Sequence, residues 1–270
     1  MNRLTRIFSF IIVMSVISAS TAFAAPAQKP ASSGDGVTVT WLGQSAFKLE
    51  HGGKTIFIDP FITGNPNCPI TLGDIKTADY ILVTHDHFDH VGDTIELAKK
   101  TGAIVIANYD TVAKFQANGL PPENVLLGGF GRNVGGSMDF DGFSLVMTPA
   151  IHSSASGSPC GYIIRFSDGT SIYHAGDTGI FSDMELYARL YPVDVAILPI
   201  GNIMTMDAFQ AAESLRMIRP KTAIPMHYGS FFLEPSADEF VKQAKRTAPE
   251  VDVMVLTPGQ GYVFHGGRHK

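Results

Sequence analysis

The sequence has few cysteines, no run of basic residues and no apolar stretch long enough to cross a membrane. Two cysteines, Cys68 and Cys160, occur in 270 residues. This excludes a disulfide-rich scaffold and leaves one disulfide or two free thiols open. The formal net charge is −5. This charge and the lack of a basic patch argue against nucleic acids and other polyanions as partners.

The longest apolar stretch lies near the N-terminus and is typical of an export signal. Arg3 and Arg6 precede the apolar segment 7–17, and the small residues around Phe23 fit a signal-peptidase site. The segment is shorter than the roughly 20 residues that a membrane-spanning helix needs. We therefore predict export to the periplasm or extracellular space, without stable membrane insertion after cleavage. The predicted boundaries are a signal peptide over 1–24, a flexible leader over 25–36 and one folded domain over 37–270.

The remaining chain predicts a layered α/β fold with two sheets inside and helices outside. Its first part reads as strands with short turns, and strands alternate with helical segments later. Residues 125–140 are rich in glycine and predict short strands whose bounds stay open. One helix is predicted to begin at Asp207. Three capping-box pairs predict the starts of other helices: Asp93 with Glu96, Ser182 with Glu185, and Ser236 with Glu239.

A cluster of histidine and aspartate follows the apolar run 80–83. It reads His85-Asp86-His87-Phe88-Asp89-His90. In an extended chain, side chains two positions apart point the same way, so His85 and His87 can bind one ion; after a turn, Asp89 and His90 can face a second. Imidazole and carboxylate groups bind zinc-like ions. The alternative is a polar turn that happens to be rich in histidine.

Three more predicted strands end on a potential ligand. These ligands are His152, Asp177 and His227. A rigid strand fixes each ligand, while the loop that follows leaves room for a substrate. Six nitrogen or oxygen ligands and a bridging carboxylate suit two divalent ions about 3.5–4 Å apart. Zinc is the preferred cofactor, and manganese or iron is compatible with the same ligands. A cysteine beside this site is a further reading of Cys68 or Cys160.

These motifs resemble the metallo-β-lactamase superfamily, whose signature is H-x-H-x-D-H. Further runs resemble its branch of uncharacterised metal-dependent hydrolases, which is akin to ascorbate-phosphate lactonases. They are Ile58-Asp59-Pro60-Phe61, Thr148-Pro149-Ala150-Ile151-His152-Ser153, Tyr173-His174-Ala175-Gly176-Asp177-Thr178-Gly179 and Ile224-Pro225-Met226-His227-Tyr228-Gly229. The resemblance covers the chain from about Val37 onward. It implies a four-layer αββα sandwich with the metal site at one edge of the two sheets.

The resemblance also implies a role for each candidate residue. His85, His87 and His152 would bind the first ion, Asp89, His90 and His227 would bind the second, and Asp177 would bridge them. Asp59 would orient a histidine ring by accepting its other N–H. His174 is either a buried hydrogen-bonding residue or a similar support. In this branch the early turn usually reads Leu-Gly-His, whereas here it is Leu42-Gly43-Gln44, which replaces a titratable group by an amide.

The implied function is metal-dependent hydrolysis of a small molecule. Water activated between the two ions would attack an ester, lactone, amide or phosphoester bond, and Asp89 would help to move its proton. Few basic residues lie near the site, which favours a neutral substrate. Ser153 and Ser154 lack an activating motif and are not expected to be nucleophiles. Met204, Met206, Phe231 and Phe232 are either an apolar substrate wall or ordinary core.

Two alternatives follow from the same residues. A diiron oxidoreductase is disfavoured because that related branch carries a glutamate where His87 stands. A non-catalytic periplasmic protein that binds metal or a small molecule stays open, because Gln44 departs from the branch. The oligomeric state is not predicted.

Overall fold

The computed structural model describes residues 36–266 apart from Phe232 and Pro235. The predicted signal peptide lies outside these residues, as does the predicted leader except for Gly36. Phe232, predicted to line a wall or the core, also lies outside them. In the described part of the chain, no helix is both long enough and apolar enough to span a membrane.

The first sheet begins with an antiparallel meander and continues with parallel strands. Within the described residues its spatial order is β13 (Gly261–Phe264), β1 (Val37–Trp41), β2 (Phe47–His51), β3 (Lys54–Ile58), β4 (Tyr80–Leu82) and β5 (Ile104–Ile106). Gly52 and Gly53 both have positive φ angles, as a two-residue turn between antiparallel strands requires. β4 and β5 then add in parallel to β3. The ends of β3 and β4 therefore lie at the same edge of the sheet.

The second sheet also begins with antiparallel strands and continues with parallel ones. Its described strands lie in the order β12 (Asp252–Val253), β11 (Thr222–Met226), β10 (Val195–Pro199), β9 (Ser171–His174), β8 (Cys160–Phe166), β7 (Phe143–Pro149) and β6 (Ser137–Phe140). β6 to β9 pair antiparallel, and β9 to β12 pair parallel. The carboxyl ends of β9, β10 and β11 thus share one edge.

Helices cover the outer faces of both sheets. They are α1 (Phe88–Val91), α2 (Thr94–Thr101), α3 (Tyr109–Ala117), α4 (Asp183–Leu190), α5 (Ala208–Ile218) and α6 (Asp238–Thr247). Alternation along β3 shows the layers: Ile56 and Ile58 face the core shared with the second sheet, whereas Phe57 packs with Leu97 of α2 and Phe115 of α3. The predicted four-layer αββα sandwich is confirmed.

The predicted capping boxes are wrong, although helices do begin near those residues. Asp93 makes no side-chain cap bond to α2, because its carboxylate accepts the backbone N–H groups of Ile62 and Thr63 instead, at 3.0 and 2.7 Å. Ser182 likewise forms no cap bond to α4, and the N-cap of α6 is Ala237 rather than Ser236.

The predicted start of α5 is confirmed. The Asp207 carboxylate accepts the N–H of Gln210 at 2.7 Å, which satisfies one of the free donors at the helix N-terminus.

The two cysteines are not bridged. Cys160 is buried on β8 and Cys68 is half-buried in the loop after β3. Burial raises the pKa of the Cys160 thiol to about 12, so this side chain behaves as a small apolar core residue. Neither cysteine belongs to the ligand groups found among the described residues.

Candidate metal centre

The ligand candidates of both sheets meet at one edge of the sandwich. Those of the first sheet follow β4, where the chain stays extended to His87 and then enters the single turn of α1, which reverses the direction of Asp89 and His90. His152, Asp177 and His227 follow β7, β9 and β11 of the second sheet.

Among the described residues, three groups of side chains have ligand atoms within 4.8 Å of one another: His85, His87 and His152; His85, His90 and Asp177; and Asp89, His90 and His227. The first and third groups share no residue. They coincide with the two ligand sets that the sequence resemblance implies.

Asp177 lies between these two groups. Its Oδ2 atom is 2.9 Å from His227 Nε2, 3.3 Å from His90 Nε2 and 3.6 Å from His152 Nε2. One carboxylate oxygen thus contacts imidazoles of both sets, which is the position that a bridging ligand needs.

Asp59 orients one histidine of each set. Its Oδ2 accepts the Nδ1–H of His90 at 2.7 Å and the hydroxyl of Thr84 at 2.7 Å. Because the Thr84 hydroxyl donates to Asp59, it can accept from Nδ1 of His85, 3.0 Å away. Both rings then direct Nε2 towards the ligand cluster. The fully buried Asp59 carboxylate therefore fixes two tautomers, one directly and one through Thr84.

The cluster separates imidazoles that are neutral from those that are charged. Burial and the nearby His90 lower the pKa of His85 to about 2. Burial opposes charge on His227 as well, but the Asp177 carboxylate outweighs it and raises the pKa of His227 to about 9. The pKa of His90 is also raised despite burial, by Asp177 and Asp59. Protons on His90 and His227 thus balance the buried carboxylates where a cation would otherwise do so.

Unpaired buried atoms show that these residues fit a metal ion. His90 Nε2 and Asp177 Oδ1 are buried without a hydrogen-bond partner among the described residues. Leaving such atoms unpaired costs free energy, and both atom types are zinc ligands. Gly201 adds a steric condition, because a Cβ atom there would lie 2.7 Å from Nδ1 of His227. Position 201, two residues beyond β10, must therefore be glycine for His227 to face the cluster.

His174 joins two loops of the site and is not a ligand itself. Its Nε2–H donates to the carbonyl of Ser45 at 3.1 Å, and its Nδ1 accepts the N–H of Gly176 at 3.3 Å. Gly176 has a φ of +64°, and a Cβ atom there would lie 2.4 Å from the carbonyl of Cys160. The buried ring of His174 thus supports the tight turn that presents Asp177.

Asp86, between the first two histidines, is a supporting residue that sequence reasoning missed. Its carboxylate accepts from Lys114 Nζ at 2.8 Å, Ser154 Oγ at 2.9 Å, the Ala155 N–H at 2.7 Å and Ser156 Oγ at 2.7 Å. It fastens the loop after His152 to the loop that holds His85 and His87. Its position between two ligand histidines, in a segment that follows a buried strand, could have indicated a supporting carboxylate.

A cavity of about 270 Å³ opens above the cluster. Its walls combine ligand candidates with apolar side chains, and none of the described residues that line it is lysine or arginine. They are Gln44, His87, Phe88, Asp89, His152, Asp177, Met204, His227, Phe231 and Leu233. Met204 and Phe231, of the four residues predicted as wall or core, line this cavity, whereas Met206 is buried in the core.

Comparison with known proteins identifies the family of this chain. Residues 54–228 match the beta-lactamase superfamily domain. The chain belongs to the metallo-β-lactamase superfamily. A UPF0173 metal-dependent hydrolase of Nitratidesulfovibrio vulgaris is 46 % identical over 223 residues, which cover 82 % of this chain and 93 % of that relative. A UPF0173 metal-dependent hydrolase of Caldivirga maquilingensis is 45 % identical over 221 residues, which cover 81 % of this chain and 94 % of that relative.

A solved structure is similar over nearly its whole length. It is Igni18, a metallo hydrolase from the archaeon Ignicoccus hospitalis, which is 37 % identical with a TM-score of 0.77 and covers 86 % of this chain and 99 % of its own. The superfamily and the enzyme class predicted from the sequence are therefore confirmed. This superfamily member is a metal-dependent hydrolase.

Proposed function

We propose that this metallo-β-lactamase superfamily member is an exported hydrolase that cleaves a neutral ester, lactone or amide of a small molecule. It would bind two divalent cations, with zinc preferred over manganese or iron. The observation that supports the substrate class is the cavity above the ligand cluster, where Phe88, Met204 and Phe231 form apolar walls and none of the described lining residues is lysine or arginine.

The walls favour a neutral substrate with an apolar group beside the scissile bond. Recognition of a phosphate usually relies on arginine or lysine, so a phosphoester is the least favoured of the predicted substrates. Phe88 and Phe231 have ring centroids 6.1 Å apart in an edge-to-face arrangement. Their exposed faces can bury an apolar group, which contributes binding free energy in proportion to the area removed from water.

The residues of the site have separate roles in this proposal. Bound divalent cations would activate water near neutral pH and stabilise negative charge that develops on the substrate. Asp59, Thr84 and His174 hold the ligand loops. Burial opposes ionisation of Asp89, but the hydrogen bond with His227 and the nearby His90 outweigh it and lower the pKa of this carboxyl. A strongly acidic carboxyl is a weak base, so this argues more for ligation than for proton transfer by Asp89.

Metal content and turnover can be measured together to test the proposal. Purified protein, loaded with zinc or with manganese, would be assayed on panels of neutral esters, lactones, β-lactams and phosphodiesters. We expect two equivalents of metal and turnover highest on neutral esters or lactones. His85→Ala and Asp177→Ala should lose metal and turnover, whereas His265→Ala, at an exposed histidine away from the cluster, should retain both.

Three outcomes would contradict parts of this proposal. Two bound equivalents without turnover on any panel would favour the binding-protein alternative. Faster turnover of phosphodiesters than of neutral esters would overturn the substrate class. Unchanged metal content in both ligand variants would overturn the site itself.

Export rests on the N-terminal pattern of residues 1–24, which lies outside the described residues. The positive start, apolar segment and small residues support a cleaved signal. Sequencing the N-terminus of protein recovered outside the cytoplasm would test this; an intact residue 1 would contradict it.

A further inference from the structure

Gln44 is buried in the turn between β1 and β2 and is held from several directions. Its φ is +53°, a conformation that residues other than glycine rarely adopt. Its carbonyl accepts the indole N–H of Trp41 at 2.9 Å and the backbone N–H of His227 at 3.1 Å. The backbone of Gln44 is thereby tied to a ligand residue of the second sheet.

The side-chain amide of Gln44 has one favourable orientation. Its Nε2 donates to Asp89 Oδ2 at 3.0 Å, and its Oε1 accepts the hydroxyl of Ser230. Rotating the amide by half a turn would place Oε1 against the Asp89 carboxylate, where two acceptors repel each other. Asp89 therefore decides which end of the amide faces it, and Ser230, 186 positions along the chain, holds the other end through its hydroxyl.

The bond from Gln44 acts on the part of Asp89 that faces the other ligands. Asp89 Oδ2 also lies 3.5 Å from His227 Nε2 and 3.8 Å from His90 Nε2. A carboxylate oxygen has two lone pairs, so it can accept the amide N–H and face a cation at once. The hydrogen bond fixes the rotation of the carboxylate, and a neutral donor adds no charge that would repel a cation.

We propose that Gln44, held in place by Ser230, is a positioning residue for the second cation group, Asp89, His90 and His227. It sets the affinity of that group through Asp89. The first group, His85, His87 and His152, has no hydrogen bond to Gln44 among the described residues and does not depend on it. This inference rests on the two-cation site of the proposed function, but on no substrate.

Zinc titration against a chromophoric chelator tests the inference without an assay of activity. Wild-type protein is expected to bind two equivalents with separable dissociation constants. Gln44→Met keeps the side-chain length but removes both hydrogen bonds, and should weaken one equivalent by about ten- to a hundredfold, the range seen when a partner of a metal ligand is removed. The other equivalent should be unchanged. Ser230→Ala should weaken the same equivalent by a smaller factor.

The control is Ser214→Ala, which removes a buried hydroxyl of α5 that donates to the carbonyl of Ala211, away from the cluster. Thermal unfolding of the metal-free variants separates a general loss of stability from a selective loss of affinity. Equal weakening of both equivalents, or no change in either variant, would overturn the role of Gln44. A wild-type protein that binds fewer than two equivalents would instead contradict the proposed two-cation function.

Discussion

Three buried residues of the site adopt backbone conformations that side chains other than glycine rarely take. Gln44, Asp59 and His227 have φ angles of +53°, +46° and +60°. Such residues persist only where surrounding contacts hold them, and they concentrate at functional sites. Here each one follows or joins strands whose ends form the ligand cluster. The change in backbone direction at these positions turns their side chains towards the cluster.

At this scale, the most informative substitution is Asp59→Asn. It keeps the shape of the side chain but removes the charge that accepts the Nδ1–H of His90 and the hydroxyl of Thr84. Both histidine tautomers lose their support, so zinc affinity should fall by about ten- to a hundredfold. A competitive zinc titration measures this.

The matched control for this change is Asp79→Asn. The Asp79 carboxylate accepts the N–H of Thr55 at the other end of β3 and contacts no ligand candidate in the described structure. Its zinc affinity should match that of the wild type. Equal losses in the two variants would show that the effect reflects the loss of a carboxylate from this sheet, not the orientation of histidines.

Among the secondary-structure elements, the strands and the ligands that follow them could be predicted from sequence. Apolar β-branched runs identified β4, β7 and β11. His85, His152 and His227 stood out because each lies within three residues of the end of one of these strands. A strand pattern depends only on residues that are neighbours in the sequence, so it can be recognised without knowing which strands pair with it.

The supporting contacts could not be predicted in this way. The Asp93 carboxylate had a helix N-terminus beside it but bonds the loop after β3, and Ser230 acquires its role only when two sheets meet. The bounds of the strands in residues 125–140 could not be predicted either. Leu127 has a φ of +54° inside a tight turn, which nothing in a leucine side chain predicts. β6 is an edge strand with no buried residue, so it lacks the apolar pattern of a core strand.

The loop after β7 is held in place by the Asp86 carboxylate, and removing that carboxylate should destabilise the fold. Asp86→Ala would leave four donors without their acceptor, since the Asp86 side chain is fully buried. We expect a loss of roughly 2–4 kcal/mol in the free energy of unfolding. Lys114→Ala removes only one of those donors, and 44 % of the Lys114 side chain is exposed, so it should cost less than about 1 kcal/mol.

Urea unfolding of the two variants measures the difference. If the two substitutions were equally costly, the lysine contact would be the main interaction and the network with the loop would contribute nothing. If Asp86→Ala also weakened zinc binding while Lys114→Ala did not, the loop clamp would be linked to the position of His152.

On the scale of the whole molecule, the ligand cluster joins two sheets that also share an apolar core and several hydrogen bonds, such as the one from the His227 N–H to the Gln44 carbonyl. His85 to His90 come from the first sheet, and His152, Asp177 and His227 come from the second. A cation bound by both sets would link them, and its binding free energy would add to the stability of the folded state. Metal should therefore change the unfolding of the entire domain and not only of a loop.

The stability of the metal-free protein should depend on pH because several histidines of the cluster have shifted pKa values. His227 has its pKa raised from 6.5 to about 9, so its contribution to stability is complete below pH 6.5 and is lost as the pH rises towards 9. His90 is shifted in the same direction. His85, with its pKa lowered to about 2, contributes above pH 6.5 and loses that contribution as the pH falls below it. For these groups, the metal-free protein is most stable near pH 6.5.

Bound zinc should remove the loss of stability that the metal-free protein shows at alkaline pH. A histidine that binds zinc carries no proton on the ligating nitrogen, so the zinc-loaded protein does not lose the contribution of protonated His227 between pH 6.5 and 9. The difference in Tm between zinc-loaded and chelator-treated protein should therefore widen across this interval, as calorimetry would measure. His227→Gln removes the titrating ring, and its metal-free Tm should fall less over the same interval. A Tm difference that stayed constant in the wild type would show that protonated His227 does not stabilise the metal-free fold.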